Sequence, residues 1–330
     1  MPKARTIRIA GAQMTCHLGW RDDNLARAEQ MATQAAAAGA QLVLFPELMP
    51  SGYTLSPRIW QGVEPPDGPT ARWLRRTSAD LGVFLGTSYA EFDKGHIYNT
   101  FVLTTPDGSE AGRVRKAHAE TYFFRRERGS HVIDCDLGRV GVGICADNHR
   151  ADFAHLMRSA HVDLLLMPHA GPAANVVGGL VSEADVRNQH ESFRTIAPLY
   201  ARMLGAPALF ANQCGPMPGE RGTGIVGSAL NRDRFHFAGL TTIADSDGSM
   251  VASLTDGDGL AIGDVIIDPS RRPEAEPALH GSYVTQGNWL ARHVVFPIDG
   301  LLSRPYYALH RRSVRIGPDC DPEAGEESAE

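Results

Sequence analysis

The stretch GRVGVGICADNH, residues 138–149, decides the fold class of this 330-residue chain. Its alternating valines and isoleucine predict a buried strand, and the apolar run stops at Cys145, where polar residues begin. A helix is predicted to follow over 152–160. Because open α/β sheets bind ligands at the carboxyl ends of their strands, the sequence indicates that Cys145 is a candidate nucleophile.

Strands and helices alternate along the rest of the chain. The pattern predicts strands over 6–14, 40–45, 83–89, 97–104, 111–116, 162–167, 208–212, 241–244, 250–254 and 260–267, and helices over 21–38, 70–81 and 192–204. Thr70 is the predicted N-cap of its helix, and the Gly-rich stretch 169–189 is a candidate specificity loop. Beyond Pro269 the periodicity is lost. We therefore expect two mixed sheets that face each other, each covered by helices on its outer face.

The acidic charge of the chain is concentrated at its end. The formal net charge is -6, and residues 317–330 contain six acidic and no basic side chains. The rest is nearly neutral, which disfavours nucleic acid and anionic membranes as partners. We expect a single α/β domain over 1–300, an apolar C-terminal arm over 301–316 at a subunit interface, and a disordered acidic tail over 317–330.

The cysteine pattern predicts a reducing compartment. The five cysteines are odd in number, scattered, and never spaced as C-x-x-C. The first residues lack the apolar core of a signal peptide, and no stretch has the length of a membrane span. We expect a cytoplasmic protein.

Three ionisable residues lie at the carboxyl ends of predicted strands: Glu47, Lys116 and Cys145. A thiol attacks only as thiolate, so a nearby carboxylate can take its proton and a nearby cation can offset the charge. The same cation, with backbone N–H groups after the thiol, can stabilise an oxyanion. The three residues together predict acyl transfer through a cysteine.

Three blocks resemble the signature motifs of the nitrilase superfamily, the carbon–nitrogen hydrolases. They are FPELMPSGY at 45–53, RKAHAE at 115–120 and VGVGICADN at 140–148. The resemblance implies an αββα four-layer sandwich that pairs with a second subunit into a homodimer or higher homo-oligomer. It also implies Glu47 as general base, Lys116 as oxyanion stabiliser and Cys145 as nucleophile, with no metal or organic cofactor.

The second glutamate of the family is assigned to Glu120, although the spacing from Lys116 is short and Glu127 is an alternative. Four further residues follow predicted strand ends and are candidate substrate-binding residues. They are Tyr53, Asn148, His149 and His169. The two histidines leave open a second mechanism, a Cys–His hydrolase in which imidazole is the base.

The residues after the thiol distinguish the branches of the family. Nitrile-cleaving members carry Trp-Glu there, and this chain has Ala146-Asp147. Carbamoyl-D-amino-acid hydrolases carry two arginines where this chain has Asn148 and His149, although Arg150 is one position further on. The predicted reaction is hydrolysis of a small amide to a carboxylate and ammonia or amine through a thioester. An N-carbamoyl hydrolase, a nitrilase, an acyltransferase and, as a different class, a non-catalytic binding protein are the alternatives.

Overall fold

The structure, a computed structural model, describes residues 3–175, 181–230, 233–271, 273 and 279–314. The strands are β1 Arg5–Gln13, β2 Leu42–Leu44, β3 Phe84–Asp93, β4 His96–Thr104, β5 Glu110–Arg115, β6 Val132–Cys135, β7 Gly138–Val142, β8 Leu164–His169, β9 Pro172–Ala174, β10 Ala208–Asn212, β11 Cys214–Pro216, β12 Phe235–Ala238, β13 Thr242–Ala244, β14 Met250–Ser253 and β15 Gly259–Ile267. The α-helices are α1 Arg21–Ala37, α2 Pro69–Leu81, α3 Ala151–Ala160, α4 Glu183–Leu204, α5 Gly224–Ala229 and α6 Phe296–His310.

The first sheet has the strand order β15-β1-β2-β3-β4-β5. Strands β1, β2 and β3 are parallel, and the outer strands join them antiparallel. One face of this sheet packs against α1 and α2 through a cluster that includes Leu25, Ala28, Val43, Trp73 and Leu74. The helices can lie close because small alanines form the inner face of α1.

The second sheet repeats this plan with the order β14-β13-β10-β8-β7-β6. Strands β7, β8 and β10 are parallel. Helices α3 and α4 cover its outer face through aromatic and aliphatic side chains, among them Phe153, Met157, Tyr200 and Phe210.

The inner faces of the two sheets meet in one apolar layer. Ile9 and Leu44 of the first sheet belong to the same buried cluster as Val142, Leu166 and Leu209 of the second. The layer order is therefore helix, sheet, sheet, helix. The αββα sandwich expected from the sequence is confirmed.

Several boundaries differ from the prediction. Helix α4 begins at Glu183, so it includes part of the stretch predicted to be a loop, and Ser182 caps it by accepting from the Asp185 N–H. Helix α6 lies where no periodicity was found. Gly68, not Thr70, is the N-cap of α2, because the Thr70 hydroxyl donates to the carboxylate of Glu64.

Among the described residues, no helix combines the length and the apolar character needed to cross a membrane. The predicted acidic tail, residues 317–330, lies outside the described residues, as does the end of the predicted arm.

Candidate active site

Three strands bring the predicted residues to one edge of the sandwich. Glu47 follows β2 by three residues, Lys116 directly follows β5, and Cys145 follows β7 by three residues. The first two strands belong to one sheet and β7 belongs to the other. The site therefore lies where the two facing sheets open at their ends.

Glu47 is fully buried and held through both carboxylate oxygens. Its Oε1 accepts from Lys116 Nζ at 2.7 Å and from Asn99 Nδ2 at 2.8 Å, and its Oε2 accepts from the Ala170 N–H at 3.1 Å. The amide of Gln213 donates to the Glu47 carbonyl at 2.7 Å. These contacts leave the carboxylate a single orientation.

Asn99, Ala170 and Gln213 were not selected from the sequence. Asn99 is a fully buried polar residue within the apolar strand β4, and such a residue needs a hydrogen-bond partner. That was the signal that could have identified it. The backbone contact of Ala170 has no signal in the side-chain pattern.

Lys116 lies between two carboxylates. Besides Glu47, its Nζ donates to Glu120 Oε1 at 2.7 Å and to Glu120 Oε2 at 3.0 Å. The Tyr53 hydroxyl donates to the same Glu120 Oε1 at 3.1 Å. Glu127, the alternative second glutamate, instead accepts from Arg115 at 3.2 Å. The structure thus brings Glu120 and Tyr53 to Lys116.

Cys145 is the first residue of a short 3-10 helix, Cys145–His149, and has a left-handed φ of 47°. For a residue with a Cβ this conformation is strained and is held by the surrounding structure. The Glu47 carboxyl and the Ala170 N–H both influence the pKa of the thiol, so both groups lie close to the sulfur. The turn therefore presents the sulfur directly to the predicted base.

Burial dominates the electrostatics of this group. It raises the pKa of the Glu47 carboxyl in spite of the Lys116 charge, and it raises the pKa of the Cys145 thiol, with a further contribution from Glu47. Burial opposes the charge on Lys116, but Glu120 and Glu47 outweigh it, so the pKa of Lys116 is also raised. One buried cation therefore faces two carboxyl groups and a thiol that compete for its charge.

Asp147 connects the two loops that carry the lysine and the thiol. Its Oδ1 accepts from the His118 N–H at 2.8 Å, and its Oδ2 accepts from the Ile144 N–H at 3.2 Å. Asp147 is fully buried. This residue, which served to distinguish branches of the family, also keeps the residues beside Lys116 and Cys145 at a constant separation.

The other predicted substrate-binding residues lie next to the turn at Cys145. Asn148 and His169 are fully buried, and Asn148 Nδ2 lies 2.9 Å from His169 Nε2. His149 is partly exposed, and its ring centroid is 5.7 Å from that of His169.

Both imidazoles are neutral near pH 7. Burial lowers the pKa of His169 well below its usual value, and burial with the Arg292 charge lowers the pKa of His149 to about 4. Neutrality alone would allow either ring to act as a base, but the thiol's carboxylate partner is Glu47.

The geometry agrees with comparisons to known proteins. The sequence profile of the carbon–nitrogen hydrolase family matches residues 8–271. A nitrilase from Pyrococcus abyssi is 33% identical over 179 residues, which cover 50% of this chain and 67% of that protein. An N-carbamoylputrescine amidase from Solanum lycopersicum is 24% identical over 269 residues, which cover 77% and 84%.

Solved structures show the same architecture. An amidase from Nesterenkonia sp. superposes with a TM-score of 0.62 at 25% identity, and the match covers 81% of this chain and 94% of that one. The profile match spans both sheets and includes Glu47, Lys116 and Cys145. The chain belongs to the carbon–nitrogen hydrolase family.

Proposed function

We propose that this protein hydrolyses the carbon–nitrogen bond of a small amide through a thioester on Cys145. The observation that carries the proposal is the buried Glu47 carboxyl, which lies close to the Cys145 thiol while its Oε1 accepts from Lys116 Nζ at 2.7 Å. A base and a cation at one nucleophile meet the requirements of acyl transfer.

In the first half-reaction, Glu47 accepts the thiol proton and Cys145 Sγ bonds to the amide carbon. The carbonyl π electrons move to oxygen, and the oxyanion is stabilised by Lys116 Nζ and by backbone N–H groups beside the thiol. Collapse breaks the carbon–nitrogen bond, and the proton held by Glu47 passes to the leaving nitrogen. Ammonia or an amine departs, and a thioester remains.

In the second half-reaction, water attacks the thioester carbon while a glutamate takes its proton. The carbon–sulfur bond breaks, the carboxylic acid leaves, and the proton returns to the thiolate of Cys145. Glu47 is the proposed base for the thiol. Glu120, which shares Lys116 and is partly exposed, holds the lysine and serves as the alternative proton acceptor toward solvent.

The amide is the proposed substrate class because of the residues after the thiol. Ala146-Asp147 stands where nitrile-cleaving members carry Trp-Glu, and here the Asp147 carboxylate is occupied by backbone N–H groups. Tyr53, Asn148, His149 and His169 remain the proposed substrate-binding residues. Among the relatives, the Nesterenkonia protein is named an amidase.

A substrate panel tests the proposal. The purified protein is incubated with aliphatic and arylalkyl amides, N-carbamoyl amino compounds and nitriles, and carboxylate and ammonia are quantified. We expect turnover of amides, and loss of at least about 10³-fold in kcat for Cys145→Ala. Cys135→Ala, which changes another partly buried cysteine, is the matched control and should retain activity. Turnover by Cys145→Ala at the parent rate would rule out the thioester.

We also propose that the protein is a homodimer or higher homo-oligomer through an interface that includes its C-terminal arm. Several apolar side chains of α6 are exposed in the single chain, including Leu301 at 70% and Leu309 at 74%. Exposed apolar side chains grouped on one helix are typical of an interface. Light scattering coupled to size-exclusion chromatography should give at least twice the mass of one chain, and a monomer would contradict the proposal.

A further inference from the structure

The turn that carries Glu120 is supported from outside the sandwich. Glu120 begins a turn in which the N–H groups of Phe123 and Phe124 both donate to its carbonyl, at 3.0 and 2.9 Å. Its carboxylate is 19% exposed, whereas that of Glu47 is fully buried. Glu120 is therefore placed by the conformation of a turn whose following residues, Tyr122 to Phe124, are buried.

Helix α6 contacts this turn by a hydrogen bond. Ser303 is almost fully buried, and its hydroxyl donates to the Gly300 carbonyl at 2.9 Å. The Thr121 hydroxyl is hydrogen-bonded to the Ser303 hydroxyl. Since Ser303 has only one hydroxyl hydrogen, Thr121 is the donor in this pair. The residue next to Glu120 is thus tied to a backbone carbonyl of α6 through Ser303.

Aromatic packing from the same helix reinforces the contact. The Tyr306 ring stacks on Trp60 at 6.4 Å between centroids and meets Tyr122 edge-on at 5.6 Å. The Trp60 indole donates to the Phe123 carbonyl at 3.0 Å. The turn is therefore held between the 3-10 helix that contains Trp60 and the inner face of α6.

A further contact of α6 reaches the strand that orients Glu47. The Ile97 N–H at the start of β4 donates to the Tyr307 hydroxyl at 3.0 Å, and Asn99 lies two residues further along that strand. The inner face of α6 thus touches elements that support both carboxylates. The contact with the Glu120 turn is the more direct one.

We infer that α6 is a positioning element for the reaction and that Ser303, through Thr121, sets the placement of the Glu120 carboxylate against Lys116. Ser303 does not itself contact the reacting atoms. The inference rests on the proposed function, in which Glu120 shares Lys116 with the base. It assigns to the C-terminal helix a part in the active site besides any role in assembly.

Ser303→Ala tests this assignment. The variant leaves Thr121 without its acceptor, so the turn loosens and kcat should fall about five- to tenfold, with KM within about twofold of the parent. Ser303→Thr restores a hydroxyl and should recover most of the rate. Ser313→Ala removes an exposed hydroxyl beyond α6 that donates to the His310 carbonyl, and it should leave kcat unchanged. Parent-like kcat in Ser303→Ala would overturn the inference.

A double-mutant cycle separates positioning from general support of the fold. If Ser303 acts through Glu120, then Ser303→Ala should have no further effect on kcat in a Glu120→Gln background. Equal losses in both backgrounds would show that Ser303 acts independently of Glu120 and would overturn the inference. Should Glu120→Gln have no measurable turnover, the cycle is run with Glu120→Asp.

The proposed function can be distinguished in the same set of variants. Parent-like kcat in Glu120→Gln would remove Glu120 from the reaction and the positioning role with it, while an inactive Cys145→Ala would still support thioester chemistry. Turnover by Cys145→Ala would instead overturn the reaction itself. Failure of the positioning role is therefore detected in Glu120→Gln, and failure of the proposed reaction is detected in Cys145→Ala.

Discussion

Two adjacent cations at the end of β5, Arg115 and Lys116, each pair with a fully buried glutamate, yet the two clusters differ in character. Arg115 and Arg113 surround Glu91, and Arg115 also bonds Asp93 at 2.8 Å. Among the described residues, Lys116 is the one cation paired with both Glu47 and Glu120. Successive residues of a strand point to opposite sides, so one strand end supplies both clusters.

The two clusters differ in how completely the cations compensate the charges of their carboxylates. Arginine forks satisfy several carboxylate oxygens at once, and the hydrogen bonds from Arg115 lower the pKa of Asp93. In the Lys116 cluster a single point charge is shared, and burial raises the pKa of Glu47. The arginine-rich cluster around Glu91 stabilises the structure. In the Lys116 cluster the carboxylate charges are only partly compensated, so a carboxyl group there can exchange a proton.

The largest effect is expected from Lys116→Met. Loss of the only cation that contacts Glu47 and Glu120 among the described residues removes the proposed oxyanion stabiliser, so kcat should fall about 10³-fold in steady-state assays. Arg113→Met, which removes a cation from the Glu91 cluster, is the control and should retain kcat in the folded fraction. A Lys116→Met variant with more than a tenth of the parent rate would contradict the assignment.

Glu91→Gln should affect stability and not turnover. It leaves two arginines beside an uncharged amide in a buried position, and the free energy of unfolding should fall by about 3 kcal/mol. Urea unfolding monitored by circular dichroism measures the loss, and kcat should stay within about twofold of the parent. A parent-like unfolding curve with reduced kcat would show that the two clusters are not separate.

Tyr53→Phe should have a smaller effect that is confined to turnover. The ring keeps its edge-on contact with Phe237, but Glu120 loses a hydrogen bond, so we expect a loss of about tenfold in kcat, equivalent to about 1.4 kcal/mol. Tyr89→Phe is the matched control, since its hydroxyl contacts Glu91. Equal kcat losses in both variants would remove the distinction between the clusters.

The smallest expected effect is a shift to higher pH of the acid limb in the pH profile of kcat/KM. Glu47 must be ionised to accept the thiol proton, and burial raises its pKa, so activity should be lost on acidification at a pH above the usual glutamate value of about 4.3. Initial rates measured across the acid and neutral range give the limb. Glu127→Gln, in the arginine cluster, should not move it. A limb at or below the usual glutamate value would argue against Glu47 as the base.

The sequence predicts the convergence of Glu47, Lys116 and Cys145 because their position follows from strand ends, which depend on local pattern and sheet topology. Its assignment of Glu120 as the second glutamate rests on the family resemblance alone and leaves Glu127 open. That choice depends on the turn that begins at Glu120, which α6 contacts from more than 180 residues away along the chain. Contacts between residues so far apart along the chain leave no periodic signal in the sequence.

Helices α4 and α6 show why the elements predicted from the sequence differ from the observed ones. The first turns of α4, from Glu183 to Glu191, are mostly polar and lack the apolar spacing that predicts a helix. Helix α6 contains Gly300 and Pro305 in its interior, which argue against a helix, and tertiary packing of Tyr306 overrides that preference. Local pattern thus locates the elements of the sandwich better than it locates those that lie against its edge.

The separation of Thr121 and Ser303 has a consequence during synthesis of the protein. Residues up to Cys145 leave the ribosome early, whereas Ser303 emerges 182 residues after Thr121. At a synthesis rate of about 5–20 residues per second, roughly 10–35 seconds pass between the emergence of the Glu120 turn and that of Ser303. The turn that carries Glu120 can therefore be secured by α6 only after Ser303 has emerged.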